Sequence, residues 1–372
     1  MNKNRSSKKS VFLLLPNLNG GGAERVILDL AVYFESLDDP YEVTLVVFSA
    51  TGAYAAHVPK NISMVDLEAS RTRYAAWRLW RLLWQGRPDI VLSSMQASSL
   101  FFLVRLFLYK KSYWICRMEN PYSYDIVSMK YLAKVFYTLS LLHANVVVCL
   151  NNGMREDLHK HTSVCKDRIV VIPNPINIDQ VKNASLENII LQHPAIVMCG
   201  RLVSQKRYDI ALRALALIHE THPDVHLYVL GEGPLQGDLC DLANKLNIDT
   251  KVHFMGFKDN PHAWMSAADI FLITSEYEGF GNVIVEALVA GTPVVSTDCP
   301  TGPNSILEQT SYLSLVPVGD FNAIAKTVRN IIDWTSSERD KNILLFTQYV
   351  ERYKLPIVGG QYIRIFDNYE QH

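Results

Sequence analysis

The 372-residue sequence has no long hydrophobic run, no closely spaced pair of cysteines and almost no net charge. Its longest apolar stretches, residues 11–15 and 100–109, fall well short of the ~20 residues that a helix needs to span a bilayer. We therefore expect no transmembrane helix, and residues 11–15 are also too few for the core of a secretory signal peptide. The formal net charge of -1 gives no reason to expect nucleic acid as a partner.

The cysteines do not form a Cys-x-x-Cys motif, which argues against a zinc or dithiol site. They are Cys116, Cys149, Cys165, Cys199, Cys240 and Cys299. Several lie within apolar, strand-like runs, so we interpret them as small buried residues of a protein from a reducing cytoplasm. With 49% hydrophobic and 20% charged residues, the chain is typical of an ordered globular protein and is long enough for two domains.

Short apolar runs alternate with helical patterns along the whole chain. This alternation predicts an α/β fold, in which helices cover both faces of parallel sheets. Pro173-Asn174-Pro175 interrupts the pattern and predicts a domain boundary. The two halves are of similar size, and the cleft expected between them would be a common place for a ligand.

The most informative segment is residues 270–291. Its apolar start predicts a buried strand, the following loop carries Glu278, Gly279 and Gly281, and Asn282 opens a helix that includes Glu286. Backbone N–H groups at the positive end of a helix suit an anionic or hydroxyl-rich ligand. Taken alone, the segment is better explained as a helix-capping region with an acidic first turn.

A second glycine loop, residues 20–25, follows the first predicted strand and precedes a helix. Its glycines would let a ligand approach the backbone near the helix N-terminus. The dinucleotide fingerprint Gly-x-Gly-x-x-Gly is incomplete, because Arg25 occupies the third glycine position. A nicotinamide cofactor is therefore disfavoured, and an ordinary tight turn explains this stretch as well as a ligand loop does.

Charged and polar side chains follow two other predicted strands. Arg117, Glu119 and Asn120 come at or directly after the strand 113–117, where ligand groups sit in open α/β sheets. Arg201 and Lys206 lie between a strand and a helix, as expected of a clamp for phosphate. Solvated loops are the alternative in both places.

The predicted helix 71–85 has the composition of an interfacial membrane helix. Trp77, Trp80 and Trp84 lie beside an apolar arc, and arginines including Arg71 and Arg78 occupy the remainder. A surface helix with snorkelling arginines is the alternative. Further basic residues favour an anionic membrane surface as a partner. They are Lys3, Arg5, Lys8, Lys9, Lys110 and Lys111.

Glycine amides, two cations and two carboxylates eight residues apart together describe a site for a nucleotide sugar. Amides and cations suit a diphosphate leaving group, and a carboxylate can accept hydrogen bonds from a ribose or sugar diol. At this point the chain resembles the GT-B-fold retaining glycosyltransferases of family 4. The resemblance rests on the Glu-x7-Glu segment 278–286, on Gly200-Arg201 with Lys206, on Gly21-Gly22-Ala-Glu24, and on residues 231–234 and 173–175.

The resemblance implies two Rossmann-like domains that face a central cleft. The acceptor-binding domain would comprise residues 1–174 with a returning helix in 355–372, and the nucleotide-sugar-binding domain residues 175–354. Arg201 and Lys206 would hold the donor diphosphate, Glu286 the ribose, and Glu278 the transferred sugar. The remaining implied donor contacts are Gly21, Gly22, Gly231, Gly233, Phe257, and the amides of Phe280, Gly281 and Asn282.

The chain departs from the family at one position. Many members carry a histidine after the strand that here ends at Arg117, and this chain has Glu119 and Asn120 instead, which become the candidates for sugar contact. Members generally retain the anomeric configuration without a protein nucleophile, and the donor diphosphate itself can act as the base. No cofactor is implied, and with no Asp-x-Asp motif in the chain no metal is expected.

The loop 298–303 is similar to that of bacterial members that extend polyprenyl-linked or lipopolysaccharide glycans. We therefore expect a hexosyltransferase that moves a hexose or N-acetylhexosamine from a UDP-sugar to a membrane-associated acceptor. The expected location is the inner face of the cytoplasmic membrane, and the oligomeric state stays open. A nucleotide-sugar epimerase or hydrolase of the same fold, or a non-catalytic donor-binding module, are the alternatives.

Overall fold

The computed structural model describes residues 8–19, 21–37, 41–69, 72–108, 112–307 and 314–368. It divides the chain into two compact units. The first comprises Met1–Pro175 with Leu355–His372, and the second Ile176–Lys354. The last helix of the chain thus belongs to the first unit.

The first unit is built on a parallel sheet of seven strands in the order β3-β2-β1-β4-β5-β6-β7. The strands are β1 (Lys9–Leu15), β2 (Tyr41–Val47), β3 (Ser63–Asp66), β4 (Ile90–Ser94), β5 (Tyr113–Arg117), β6 (Val146–Cys149) and β7 (Ile169–Val171). The helices of this unit are α1 (Gly22–Glu35), α2 (Thr72–Gly86), α3 (Met95–Arg105), α4 (Tyr122–Ser128), α5 (Tyr131–His143), α6 (Asn152–His161) and, at the end of the chain, α15 (Leu355–Asp367).

The second unit is built on a parallel sheet of six strands in the order β10-β9-β8-β11-β12-β13. The strands are β8 (Ala195–Cys199), β9 (His226–Leu230), β10 (Val252–Gly256), β11 (Ile270–Ile273), β12 (Val294–Thr297) and β13 (Ser314–Val316). The helices are α7 (Ile178–Ala184), α8 (Tyr208–Ile218), α9 (Gln236–Lys245), α10 (Pro261–Ala267), α11 (Asn282–Val289), α12 (Gly302–Leu307), α13 (Phe321–Ile332) and α14 (Ser336–Val350).

These sheets confirm the predicted α/β class with two Rossmann-like units. In each sheet the strand order reverses once, between β1 and β4 and between β8 and β11. Ligands of open parallel sheets bind at such a reversal, beyond the carboxyl ends of the strands. The loops that follow β1, β4, β8 and β11 are therefore the places to look for a site.

Some predicted elements were wrong in extent. The apolar pattern of residues 98–110 predicts one helix, whereas α3 spans Met95–Arg105, and residues 109 and 110 lie outside the described residues. The short elements α4 and β13 have no counterpart among the predicted elements. After α3, Leu106 and Phe107 are 63% and 74% exposed, so their apolar character did not mark a buried helical face. Elements as short as α4 and β13 carry too few residues for a periodic pattern to be recognised.

The final helix α15 packs against α1 and completes the core of the first unit. Phe34 of α1 lies 5.0 Å from Phe366 and 6.3 Å from Tyr362 between ring centroids. Phe366 also meets Tyr41 of β2 edge-on at 5.4 Å. Phe34, Tyr362 and Phe366 are fully buried, so α15 is part of this core rather than a tail.

The contact between α15 and α1 can be tested at two adjacent glycines. A Cβ atom on Gly359 would lie 2.4 Å from the ring of Tyr33, whereas one on Gly360 would meet nothing within 4 Å. We expect Gly359→Ala to lower the free energy of unfolding by about 1–3 kcal/mol, because the ring must shift. Gly360→Ala is the matched control and should raise it by about 0.5–1 kcal/mol, as alanine does in an open helical position. Urea titration measures both, and equal effects would contradict this packing.

Candidate functional site

The loop between β11 and α11 buries the carboxylate of Glu278. This residue is only 7% exposed. One of its oxygens, Oε1, lies 2.6 Å from Lys206 Nζ and accepts a hydrogen bond of 2.6 Å from Ser275 Oγ. The predicted phosphate cation and the predicted sugar-binding acid are thus brought into direct contact.

Hydrogen bonds to backbone carbonyls hold the Lys206 turn against the Glu278 loop. The Gln205 side-chain amide donates to Tyr277 O at 2.8 Å, and the Glu276 N–H donates to Gln205 O at 2.8 Å. Thr274 Oγ1 donates to Lys206 O at 2.7 Å. Since β8 and β11 are neighbours in the sheet, the two loops leave it side by side. The order of the strands therefore determines where Lys206 lies.

In the described part of the chain, no side chain caps the first turn of α11. Gly281 is the N-cap and has φ 93°, a left-handed conformation that favours glycine. A first turn of helix has N–H groups without intrahelical partners and the positive end of the helix dipole. Phe280 is 3% exposed and its ring packs against Tyr353 at 5.3 Å, so only its backbone can serve a ligand. Asn282 is the first residue of the helix.

Glu286, on the same helix, is buried beside a histidine that the sequence did not reveal. Glu286 is 5% exposed, and His262 Nε2 of α10 lies 3.3 Å from its Oε2. His262 is itself 4% exposed. A single histidine in a short helix gives no signal in a sequence, because its partner is brought to it only by folding.

Gly231 and Gly233 allow two loops to pack closely. A Cβ atom on Gly231 would lie 2.2 Å from the carbonyl oxygen of Gly200, and one on Gly233 would lie 2.5 Å from that of Leu202. The structure therefore gives these glycines a packing role next to Arg201, whose side chain is exposed. Phe257, at 51% exposed, lies beside the same loop and its N–H donates to Glu232 Oε1 at 3.5 Å.

In the first unit, the predicted glycine loop opens α1. Gly22 is the first residue of this helix and Gly21 its N-cap. A Cβ atom on Gly21 would lie 2.4 Å from Glu24 Oε2, so a glycine here makes room for that carboxylate. Gly20 lies outside the described residues.

Arg117 is not a ligand contact but a buried scaffold. Its side chain has no exposed surface, and Nη1 lies 3.4 Å from Glu119 Oε1. Nη2 donates to Asn174 Oδ1, just before the end of the first unit at Pro175. The guanidinium thus orients Glu119 and ties the end of β5 to the segment that leaves the unit.

Glu119 lies in an acidic, partly dehydrated environment at the end of β5. Burial raises the pKa of Glu119 to about 7, and the carboxylates of Glu24 and Asp125 raise it further, against the opposing effect of Arg117. Asn120 Nδ2 donates to Asp125 Oδ1 at 3.0 Å, and burial raises the pKa of Asp125 to about 6. A carboxyl group that titrates near neutrality can exchange a proton or a hydrogen bond with a sugar hydroxyl. Asp125 was missed in the sequence because it lies on the unpredicted helix α4.

The predicted interfacial helix forms as α2, and its tryptophans line up on its outer side. Trp77 and Trp84 are 62% and 45% exposed, and Trp80 stacks between them at 5.1 Å and 5.5 Å. Leu79 and Leu83 are buried beneath. The basic residues Lys3, Arg5, Arg71, Lys110 and Lys111 lie outside the described residues. Across the described part of the chain, no helix combines the length and hydrophobicity that crossing a membrane would need.

Two family models match most of the chain between them. One described as Glycosyltransferase Family 4 matches residues 20–180, and one described as Glycosyl transferases group 1 matches residues 193–333. An uncharacterized glycosyltransferase of Methanocaldococcus jannaschii is 32% identical over 51% of this chain and 47% of the relative. The N-acetylgalactosamine-N,N'-diacetylbacillosaminyl-diphospho-undecaprenol 4-alpha-N-acetylgalactosaminyltransferase of Campylobacter jejuni is 30% identical over 53% of this chain and 54% of that protein. The chain spans about half the length of these curated relatives.

A solved structure has the same fold across almost the whole chain. The crystal structure of Anabaena HepE in complex with UDP and glucose matches with a TM-score of 0.80 at 18% identity. The match covers 96% of this chain and 99% of that one. At this level of identity the likeness establishes the fold alone.

The raised pKa of Glu119 predicts a pH-dependent stability. Because ionisation of Glu119 is less favourable in the folded than in the unfolded chain, its contribution to stability is fully present below the unfolded pKa of about 4.3 and is lost as the pH rises from there through about 7. We expect Glu119→Gln to match the wild type at about pH 4 and to exceed it at about pH 8 by on the order of 3 kcal/mol. Urea titration at both pH values measures this. Glu42→Gln, at an exposed position of the same unit, is the control and should change stability equally at both pH values. If the effect of Glu119→Gln is also the same at both pH values, the raised pKa of Glu119 is refuted.

Proposed function

Because this chain belongs to the GT-B-fold glycosyltransferases of family 4, we propose that it is a retaining hexosyltransferase that uses a UDP-sugar. It transfers a hexose or N-acetylhexosamine to a membrane-associated glycan, polyprenyl-linked or of lipopolysaccharide type. The observation that carries the proposal is the contact of Lys206 with Glu278 at 2.6 Å, beside the glycine-capped start of α11. A cation, a carboxylate and helix amides at one place suit a sugar joined to a diphosphate.

The diphosphate binds to Lys206, Arg201 and the first turn of α11. Negative charge accumulates on the diphosphate as the sugar departs, so cations held there stabilise the transition state more than the bound donor. Lys206 is 22% exposed at its side chain, and this partial exclusion from water strengthens its effect. We assign the neutralisation of this charge to these groups and no metal ion to the site.

The two carboxylates of the Glu-x7-Glu segment have different tasks. Glu286 accepts hydrogen bonds from the ribose hydroxyls, and His262 Nε2 lies 3.3 Å from its Oε2. Glu278 accepts from hydroxyls of the transferred sugar, while Ser275 and Lys206 hold its Oε1. The helix between them sets their separation, since both side chains are anchored in the second unit.

The reaction needs no nucleophile from the protein. The bond from the anomeric carbon to the diphosphate oxygen breaks while the acceptor hydroxyl forms a bond on the same face of the sugar. The proton of that hydroxyl passes to the departing diphosphate oxygen, so the products are UDP and the extended glycan. Glu119 and Asn120 serve the first unit as hydrogen-bonding groups for sugar hydroxyls.

The acceptor is proposed to be carried by a lipid. The name of the Campylobacter relative specifies a diphospho-undecaprenol acceptor. The exposed tryptophans of α2 support contact with an interface, where indole rings are favoured. We place the enzyme on the inner face of the cytoplasmic membrane, where nucleotide sugars and lipid-linked glycans meet.

Substitutions of the two donor cations test the site. We expect Arg201→Gln to weaken UDP binding about tenfold, because a charge-assisted contact to phosphate is lost. Lys206→Gln should lower donor turnover by about 100-fold, because it removes charge at the leaving group. Calorimetry measures binding, and UDP release from a panel of donors with membrane lipid extract measures turnover.

Lys182→Gln is the matched control, since Lys182 is a half-exposed lysine elsewhere in the second unit. Thermal melting checks that each variant folds, which matters for Lys206→Gln because Glu278 then loses its cation. Wild-type UDP affinity in Arg201→Gln together with wild-type turnover in Lys206→Gln would remove the basis of the donor site. Release of UDP without transfer to lipid would point instead to a hydrolase.

The role of α2 is tested on vesicles. We expect Trp77→Ser with Trp84→Ser to reduce partitioning onto phosphatidylglycerol-containing vesicles by roughly tenfold, because two exposed indoles are lost from the interface. Leu344→Ser with Leu345→Ser removes two exposed apolar residues from the second unit and should leave partitioning unchanged. Equal behaviour of the two double variants would show that α2 does not touch the membrane.

A further inference from the structure

A second group of apolar residues is exposed on the first unit, on α4 and the start of α5. Its members are Val127, Tyr131, Leu132 and Val135, which we call the α4–α5 surface. They are 78%, 79%, 67% and 36% exposed, respectively. None of them is a predicted site or membrane-contact residue, and the donor chemistry makes no use of them.

The surface occupies a single side of α5. At 100° per residue, Tyr131, Leu132 and Val135 fall within an arc of about 100°. The opposite side of the same helix buries Tyr137 and Leu141, at 1% and 0% exposure. The helix is therefore anchored to the core by its inner side, and its outer apolar residues contribute nothing to that anchoring.

The charged residues of the segment that carries the surface are of one sign, whereas buried Asp125 precedes it and the carboxylate of Asp157 on α6 accepts from the Ser123 N–H of α4 at 3.0 Å. Lys130 is exposed immediately before Tyr131, and Lys134 lies one turn further along α5. Residues 126–137 contain no aspartate or glutamate. Exposed apolar side chains flanked by lysines, with no acid among them, have the composition that binds an anionic lipid surface.

The surface begins directly beside the acidic cluster at the end of β5. Asp125, which accepts from Asn120 at 3.0 Å, is buried on α4 only two residues before Val127. At 1.5 Å rise per residue, two residues of helix correspond to about 3 Å along its axis. Whatever binds the α4–α5 surface is therefore held close to Asn120 and Glu119.

The surface also lies in the same layer of helices as α2. The helix α3 packs against both α2 and α5, so these three form one layer on one side of the sheet. Exposed tryptophans on α2 and the exposed α4–α5 surface thus belong to one helical layer of the unit. A flat partner such as a bilayer is able to meet both.

We propose that the α4–α5 surface is a second membrane-docking element, which inserts Tyr131 and Leu132 into an anionic lipid surface. Docking through it places the Glu119–Asn120 end of the first unit at the level of the lipid headgroups, where the head of a lipid-linked acceptor lies. The inference rests on the proposed function for its choice of partner. Its physical basis, the exposed stripe and its lysines, is separate from the donor site.

The test compares double variants of the full chain by co-sedimentation with vesicles. The vesicles contain phosphatidylcholine with about 30% phosphatidylglycerol, or phosphatidylcholine alone. We expect Tyr131→Ser with Leu132→Ser to lower partitioning onto the anionic vesicles roughly fivefold, and Lys130→Gln with Lys134→Gln to remove part of the difference between the two vesicle types. Leu186→Ser with Ile190→Ser, at apolar positions of the second unit that are 82% and 89% exposed, is the matched control.

Binding of UDP by each variant is measured in parallel. Reduced partitioning of Tyr131→Ser with Leu132→Ser, with UDP binding intact, supports the proposal, and reduced partitioning in a protein that never binds UDP supports it while refuting the donor function. Partitioning equal to that of the control variant overturns it. A wild-type dimer that this variant dissociates, with no change on vesicles, also overturns it and assigns the surface to a second copy of the chain.

Discussion

The buried carboxylate of Glu278 is the constraint around which the second unit is arranged. Removing a carboxylate from water costs several kcal/mol, and a hydrogen bond to a charged group, such as the one from Ser275, returns about 1.5–3 kcal/mol. The ammonium group of Lys206 at 2.6 Å supplies the opposite charge that completes the compensation. The contacts of Gln205, Glu276 and Thr274 secure the turn that delivers it. Adjacency of β8 and β11 makes the meeting possible, so the sheet order is what positions the chemistry.

The first unit also buries a carboxylate, that of Glu119, and the cation beside it compensates less for the burial. Arg117 is buried, but its guanidinium is shared between Glu119 at 3.4 Å and Asn174. The neighbouring carboxylates of Glu24 and Asp125 oppose its influence, so the pKa of Glu119 rises to about 7. The result is a group that can carry a proton near neutrality, at the carboxyl end of β5. The Lys206–Glu278 pair and the Arg117–Glu119 pair each join a cation to a glutamate, and the type of cation, the distance and the neighbouring charges make them different.

The alternation of apolar runs was sufficient to predict the two parallel sheets, because strands buried on both faces are continuous in their hydrophobicity. Glu278 and Lys206 could be singled out because each lies in a loop between a strand and a helix, and Glu286 because the resemblance of the Glu-x7-Glu segment pairs it with Glu278. Ser275 and His262 could not be assigned a role, since a side chain's partner across a sheet depends on strand order. The overlong prediction for α3 has another cause. Leu106 and Phe107 are apolar and exposed, and periodicity treats every apolar residue as buried.

The exposed apolar residues of the first unit do not result from an incomplete hydrophobic core. Crossovers between parallel strands are right-handed, and the steps from β1 to β2 and from β4 to β5 run in opposite directions across the sheet, so α1 and α3, which lie in these crossovers, cover opposite faces. The face of α1 is closed by α15, whose Phe366 and Tyr362 are fully buried. The other face is covered by α2, α3 and α5, which bury Leu79, Phe101 and Leu141 beneath them. Both cores are therefore satisfied, and folding alone does not account for the tryptophans of α2 or the α4–α5 surface. Binding to a partner outside the protein therefore accounts for these exposed residues. Because they lie in one layer of helices, that partner is expected to be flat, as a bilayer is.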